Sequence, residues 1–408
     1  MPQMPPIMIA GMIYFRKNFR TNRLVKPFSL QKTFTAQLCY NWGGFAKSQR
    51  FRKSRPINNN ENQQFSMPGI YLHIPFCKQA CHYCNFHFST SLAYKSEMVD
   101  ALVRELELRR NFLGKAPLSS IYFGGGTPSL LNENEVQQIF DKIYQLFKVE
   151  SDAEITLEAN PDDLTKEKLK ALRQTPINRL SIGIQSFAEE DLQFMNRAHH
   201  ATEARLCIEN ALAAGFDNLT VDLIYGSPTT SDAQWKQNIQ FVVDFGIPHI
   251  SCYALTVEPR TALDHFVRVG KAPAVDEEQA ARQFEMLIAM LRTNGYEHYE
   301  ISNFAKPGWY ARHNSSYWTG EPYLGIGPAA HSFDGDRTRR WNVANNAKYM
   351  KILEEDVAHL EGVPHLSSDQ IIWFEQETLT DAQRYDEYVM MALRTIWGAK
   401  IIKIEAFG

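Results

Sequence analysis

The chain has 408 residues, 44% of them hydrophobic, enough for one large core and a smaller accessory region. No stretch approaches the roughly 20 consecutive apolar residues that a membrane-spanning helix needs. A soluble, cytoplasmic protein is expected, with a peripheral membrane contact and a homodimer left open. The formal net charge of -3 is uneven: residues 1–60 hold eleven Lys or Arg and no Asp or Glu, which leaves 32 basic and 46 acidic residues beyond them. A body this acidic argues against nucleic acid as the main partner, because phosphate binding needs a basic surface.

Residues 1–66 are basic, rich in Asn, Gln and Phe, and show little periodicity. Three explanations stand side by side. Met67 is the true start; or the segment is an organelle transit peptide; or it is a disordered basic arm. The short apolar run at residues 7–14 precedes the first basic residue, the wrong order for a secretory signal.

From residue 69 onward, strand-like runs alternate with amphipathic helical patterns. Strands are expected at residues 70–74, 120–123, 154–157, 179–184, 219–224 and 249–254, rich in Ile, Leu, Val and Tyr. Helices are expected between them, among others at 95–112, 133–147 and 202–214. Six such repeats imply a parallel sheet with right-handed crossovers, that is, an α/β fold with a partial (β/α)6 barrel rather than the closed eight-unit form. Active sites in such barrels lie at the C-terminal ends of the strands. Beyond about residue 260 the pattern changes to a helix at 277–293, a Gly-, Tyr- and Trp-rich stretch to about 342, and a helical tail that includes 381–396. The expected division is a leader over 1–66, the barrel over 67–260 and an accessory region over 261–345. Residues 346–408 would begin a helical or winged-helix-like C-terminal domain that is cut short.

Three of the six cysteines crowd into eight residues: Pro75-Phe76-Cys77-Lys78-Gln79-Ala80-Cys81-His82-Tyr83-Cys84. In a chain of this length without a clear secretory signal, such crowding points to a metal site in a reducing compartment, not to a disulfide framework. The spacing is C-x3-C-x2-C. Closely spaced thiolates on one loop can reach three corners of an iron–sulfur cube, leaving the fourth iron open to the amino and carboxylate groups of a small molecule. Zinc is the alternative, but it prefers C-x2-C pairs and four protein ligands. Cys207, in a helical pattern, and Cys252, in a strand pattern, are expected to be buried small apolar residues; Cys39 lies in the leader.

The run Tyr71-Leu72-His73-Ile74-Pro75-Phe76-Cys77 followed by this spacing resembles the radical S-adenosylmethionine superfamily. Within it the resemblance is to the oxygen-independent coproporphyrinogen III oxidase group, over most of residues 69–396. The resemblance implies a 4Fe-4S cluster on Cys77, Cys81 and Cys84, with S-adenosylmethionine on the remaining iron. It also implies cofactor contacts from Tyr71 and Tyr83, from Gly125, Gly126 and Thr127 in Phe123-Gly124-Gly125-Gly126-Thr127-Pro128, and from Glu158, Gln185, Arg197 and Asp222. These types suit the task. Glycines admit a ligand to the backbone, a carboxylate accepts from an ammonium or ribose hydroxyl, and an arginine fork matches a carboxylate.

Two features separate sub-groups. Coproporphyrinogen oxidases of this group carry a fourth Cys two residues after the third, where this chain has Phe86 in Cys84-Asn85-Phe86. That ending resembles the haem chaperones of the group, the HemW proteins. The run His313-Asn314-Ser315-Ser316-Tyr317-Trp318 matches H-N-x-x-Y-W, associated with haem binding in those chaperones. It implies His313 as an axial ligand, with Tyr317 and Trp318 beside the macrocycle. His331, in Gly325-Ile326-Gly327-Pro328-Ala329-Ala330-His331-Ser332, is a lesser candidate. His73, His82 and His87, flanking the cysteines, are expected to be structural. The resemblance therefore implies a chaperone that takes up haem and passes it to a membrane-bound haem enzyme. The alternatives are oxidative decarboxylation of coproporphyrinogen III and an inactive binding module.

Overall fold

A computed structural model describes residues 67–354 and 373–407. The leader over 1–66, with Cys39, and part of the expected C-terminal domain lie outside the described residues.

The barrel runs in chain order β1 (Gly69–Ile74), α1 (Lys95–Leu108), β2 (Leu118–Gly125), α2 (Glu133–Leu146), β3 (Val149–Ala159), α3 (Lys166–Leu172) and β4 (Arg179–Gln185). It continues with α4 (Glu189–Phe194), α5 (Ala201–Ala213), β5 (Leu219–Tyr225), α6 (Asp232–Asp244) and β6 (His249–Ala254). Strands β1 to β6 pair in sequence order, all parallel. The six expected strands and their intervening helices are present, and the sheet does not close: it is a partial barrel.

The following segment holds α7 (Ala262–Arg268), α8 (Glu277–Thr293), β7 (Glu297–His298), β8 (Asn303–Ala305), α9 (Arg312–Thr319), β9 (Tyr323–Ile326), β10 (His331–Phe333) and β11 (Thr338–Asn342). After it come α10 (Asn346–Glu354), β12 (Phe374–Thr378), α11 (Asp381–Ala392) and α12 (Ile401–Glu405). These strands extend the same sheet at both edges. β8 pairs antiparallel to β6, whereas β9 lies parallel to β1 and leads outward to β10, β11 and β12.

Each barrel strand alternates. Ile70, Leu72 and Ile74 of β1, Ile121 and Phe123 of β2, Leu180, Ile182 and Ile184 of β4 and Val221 and Leu223 of β5 are fully buried in the main apolar core. Burying each such side chain contributes about 1.5–3 kcal/mol. The residues between them carry polar groups on the other face: Tyr71 and His73, Tyr122, Glu158, Ser181, Asp222 and Tyr253. Period-two alternation puts these on the inner face of the barrel. Chemistry and stability are thus divided between the two faces.

Two helices stop short of the sequence expectation. α1 ends at Leu108 because Arg109 turns its guanidinium to Glu105 and to the Gly325 carbonyl, and the chain then closes into turns ending at Gly114 (φ +67°). α11 ends at Ala392 because the next residues are captured by the sheet region: Thr395 bridges Glu300, and the Ile396 N–H donates to the Tyr299 carbonyl.

Candidate cofactor-binding site

The loop after β1 presents the cysteines, and its neighbours pin it in place. The Gly126 N–H donates to the Ile74 carbonyl at 2.9 Å, Thr127 N–H to the Phe76 carbonyl at 2.6 Å, and Cys77 N–H to the Ser89 carbonyl at 3.0 Å. Lys78 pairs with Asp162 at 2.7 Å, and also with Asp163, at the exit of β3. Gln79 donates to the Asn196 carbonyl at 3.0 Å, and the Asn196 amide returns a bond to the Ala80 carbonyl at 2.7 Å. The loop is held from the ends of β2, β3 and the turn after α4, so its thiols are placed by several barrel units at once.

The three thiols open on one cleft of about 290 Å³ at the C-terminal ends of the strands. Tyr71, Tyr83, Gly125, Gly126, Thr127, Glu158, Gln185, Arg197 and Asp222 all line it. Nine residues scattered over some 150 positions of sequence are thus brought together.

Arg197 is the hub. Its guanidinium donates to Asn160 Oδ1 at 2.7 Å, to the Gly183 carbonyl at 2.8 Å, to Cys81 Sγ at 3.3 Å and to Tyr83 Oη at 3.4 Å. Its buried Nε has no partner among the described residues. Thr127 donates to Cys77 Sγ at 3.5 Å. Burial pushes the Cys77 thiol up to about 11 and the Cys84 thiol up to about 12, so an incoming metal must displace their protons.

Glu158 accepts from Tyr122 Oη at 2.7 Å, and burial raises its carboxyl to about 7. Asp222 accepts from Ser181 Oγ at 3.4 Å and is raised by burial to about 6. Carboxyls raised this far toward neutrality in the same cleft as the Arg197 cation can complete their ionisation when a ligand brings a further positive charge. Gln185 ends β4 in the left-handed region (φ +65°), which turns its amide back toward Gly183; a Cβ there would meet Gln185 Nε2 at 3.0 Å and Arg197 Nη2 at 3.2 Å.

The donor set fits a cluster. Three thiols share one loop, two of them already accept hydrogen bonds of the kind that surround cluster thiolates, and Gly126 leaves room that a Cβ would take from the loop backbone, 2.5 Å from the Phe76 carbonyl oxygen. Among the described residues no three His, Cys, Asp or Glu side chains converge on a point as around a single ion. Three corners of a cube do not ask for that.

The residues expected around haem are divided. Tyr317 lines the cleft, whereas His313 and Trp318 do not. His313 is fully buried against the inner face of β2, beneath Tyr71 and Tyr122, with Nδ1 bonded to Ser120 Oγ at 2.9 Å and Nε2 to Tyr317 Oη at 2.9 Å. Its ring stacks on Tyr122, and burial lowers its pKa to about 3. As placed, it would have to surrender a hydrogen bond before it could ligate iron. His331 does line the cleft. His73 does too, and bonds Tyr71 Oη at 3.3 Å and the His87 carbonyl at 2.9 Å. Asn160, Tyr122 and Tyr253 were missed by sequence reasoning. Asn160 follows Glu158 by two residues and could have been found at the strand exit, but nothing local marks the other two.

Residues 71–242 match the model of the Radical SAM superfamily. A "Heme chaperone HemW" of Bacillus subtilis (strain 168) is 35% identical over 334 residues, covering 81% of this chain and 84% of that one. The chain belongs to the radical SAM superfamily, in its HemW-like group. A HemW of Mycobacterium tuberculosis is 37% identical over 307 residues, covering 74% of this chain and 78% of its own. A bovine relative named "Radical S-adenosyl methionine domain-containing protein 1, mitochondrial" is 34% identical, covering 71% and 67%. Among solved structures, coproporphyrinogen III oxidase (HemN) of Escherichia coli superposes with a TM-score of 0.70 at 23% identity, covering 84% of this chain and 78% of that one, which shows the shared fold. Membership of the radical SAM superfamily implies a 4Fe-4S cluster and S-adenosylmethionine. No helix among the described residues is long and apolar enough to cross a membrane.

Proposed function

We propose that this HemW-like chain takes up haem and hands it to a membrane-bound haem enzyme, holding a 4Fe-4S cluster on Cys77, Cys81 and Cys84 and S-adenosylmethionine beside it. The observation that carries the reading is Phe86. It lines the cleft and is 45% exposed, at the position where the decarboxylases of the group have a further cysteine. An apolar wall there suits a flat, greasy macrocycle and supplies no thiol. The names of the relatives in Bacillus and Mycobacterium support the same direction.

In this reading Gly125, Gly126 and Thr127 receive the methionyl amino group, and Arg197 receives the carboxylate. Glu158, Asp222 and Gln185 take the remaining polar contacts, while Tyr71 and Tyr83 wall the cofactor. When bound, the reduced cluster and sulfonium supply radical chemistry, and the protein contributes orientation and exclusion of water. The test is a haem titration, followed by absorbance, on anaerobically reconstituted chain beginning at Met67. A saturating, stoichiometric spectral change is expected. Absence of haem uptake with an intact cluster, together with conversion of coproporphyrinogen III to protoporphyrinogen IX, would replace the chaperone with a decarboxylase.

A further inference from the structure

Two histidines line the cleft, and they differ in what their rings are doing. His73 has both nitrogens engaged, one with Tyr71 and one with the His87 carbonyl. Neither ring nitrogen of His331 makes a hydrogen bond among the described residues; its ring lies against the Trp341 ring, centroids 6.2 Å apart and 28° between planes. Burial lowers the His331 pKa to about 4, so its imidazole is neutral at physiological pH and carries a lone pair.

The chain around His331 is stiff. It opens β10 directly after a turn in which the Ala330 N–H donates to the Gly327 carbonyl and Ala329 adopts φ +61°. That turn is tied to the barrel through Glu105, a fully buried carboxylate that accepts from Gly327 N–H at 2.8 Å and from Tyr349 Oη at 2.6 Å. Across the strand pair, a Cβ on Gly325 would sit 1.9 Å from the His331 carbonyl oxygen. A side chain on so constrained a backbone keeps its place when a ligand arrives. Tyr317, Tyr323, Ala329 and Phe86 line the same cleft and offer a macrocycle aromatic and apolar contacts.

We propose that His331 ligates haem iron in this cleft, with Trp341 supporting its ring, and that His313 acts from beneath the aromatic layer as a positioning residue that holds Tyr317 through its hydroxyl. This rests on the proposal that the chain takes up haem. It assigns the ligand to a residue outside the H-N-x-x-Y-W motif and gives that motif a different task, the placement of an aromatic wall.

The experiment compares His331→Ala, His313→Ala and the unaltered chain, each with its cluster reconstituted and bound to ferric haem, by absorbance and electron paramagnetic resonance. His331→Ala should lose the imidazole-ligated haem signature and bind haem roughly ten-fold or more weakly, since even outer-shell partners of a metal ligand are worth 10–100-fold. Free imidazole added to that variant should restore the signature. His313→Ala should keep the imidazole-ligated signature even if affinity falls. An unchanged spectrum in His331→Ala, or loss and imidazole rescue in His313→Ala instead, overturns the assignment while leaving the chaperone reading standing. Failure of the unaltered chain to take up haem overturns both.

Discussion

The guanidinium of Arg197 reaches Cys81 Sγ at 3.3 Å while bonding Asn160 and the Gly183 carbonyl, so one cation joins the cysteine loop to the ends of β3 and β4. Positive charge and hydrogen bonds at the sulfurs raise the reduction potential of an iron–sulfur cluster. Arg197→Gln removes the charge beside Cys81. The reconstituted cluster should become harder to reduce, and S-adenosylmethionine should bind more weakly. A redox titration and equilibrium dialysis check this; an unaltered potential would mean that the arginine serves only to hold the loop.

The cysteines divide by surroundings. Cys77, Cys81 and Cys84 open on the cleft, whereas Cys207 and Cys252 are buried in the core, Cys207 with its thiol against the Ala204 carbonyl. Ala at any of the first three should abolish the cluster, read as iron and acid-labile sulfide after reconstitution. Ala at Cys207 or Cys252 should leave both contents unchanged. Iron retained by Cys84→Ala would require another ligand.

Gly126→Ala places a methyl 2.5 Å from the Phe76 carbonyl oxygen and 2.8 Å from the Ile74 carbonyl oxygen, both backbone atoms that cannot swing aside. Overpacking of this kind costs about 1–3 kcal/mol, and here the segment that must move carries Cys77. Denaturant unfolding should show the loss of stability, and reconstitution should yield a less occupied cluster. Normal stability with a full cluster would show that the loop yields more readily than its hydrogen bonds suggest.

Glu158 and Asp222 make the cluster-free chain pH-dependent. Burial raises Glu158 from 4.5 to about 7 and Asp222 from 3.8 to about 6. Between the unfolded and folded values the folded chain holds protons that the unfolded chain has released. Raising the pH across that window therefore favours unfolding, and the contribution is fully lost above the folded value. For Glu158 this is on the order of 3 kcal/mol. Glu158→Gln should be more stable than the unaltered chain at pH 8, with the advantage fading toward pH 5. Thermal unfolding across that range checks it, and a constant difference at every pH would contradict the buried, protonated carboxyl.

Much of this was legible because it is local. The six barrel strands announce themselves as short apolar runs, and the Tyr71-Leu72-His73-Ile74 alternation already separates a core face from a cleft face. The cysteine spacing and the glycine run are likewise contiguous. The edge strands were not legible. β9 and β10 are only four and three residues long, and β9 depends on Gly325 to let the His331 backbone approach, a contact no periodicity records. The bonds of Tyr122 to Glu158 and of Arg197 to Asn160 join residues 36 and 37 positions apart. The H-N-x-x-Y-W run was visible as a pattern, but which of its side chains faces the cleft depends on how α9 packs against the inner face of β2, where Ser120 and Tyr317 take both nitrogens of His313.

The central claim concerns transfer, so the most direct measurement loads the reconstituted chain with haem and mixes it with membranes holding the haem-free form of a respiratory oxidoreductase. The haem spectrum and the activity of the acceptor are then followed against free haem at the same concentration. The account predicts that haem leaves the chain and activates the acceptor faster than free haem does. Haem that stays on the chain while the acceptor remains inactive would contradict it.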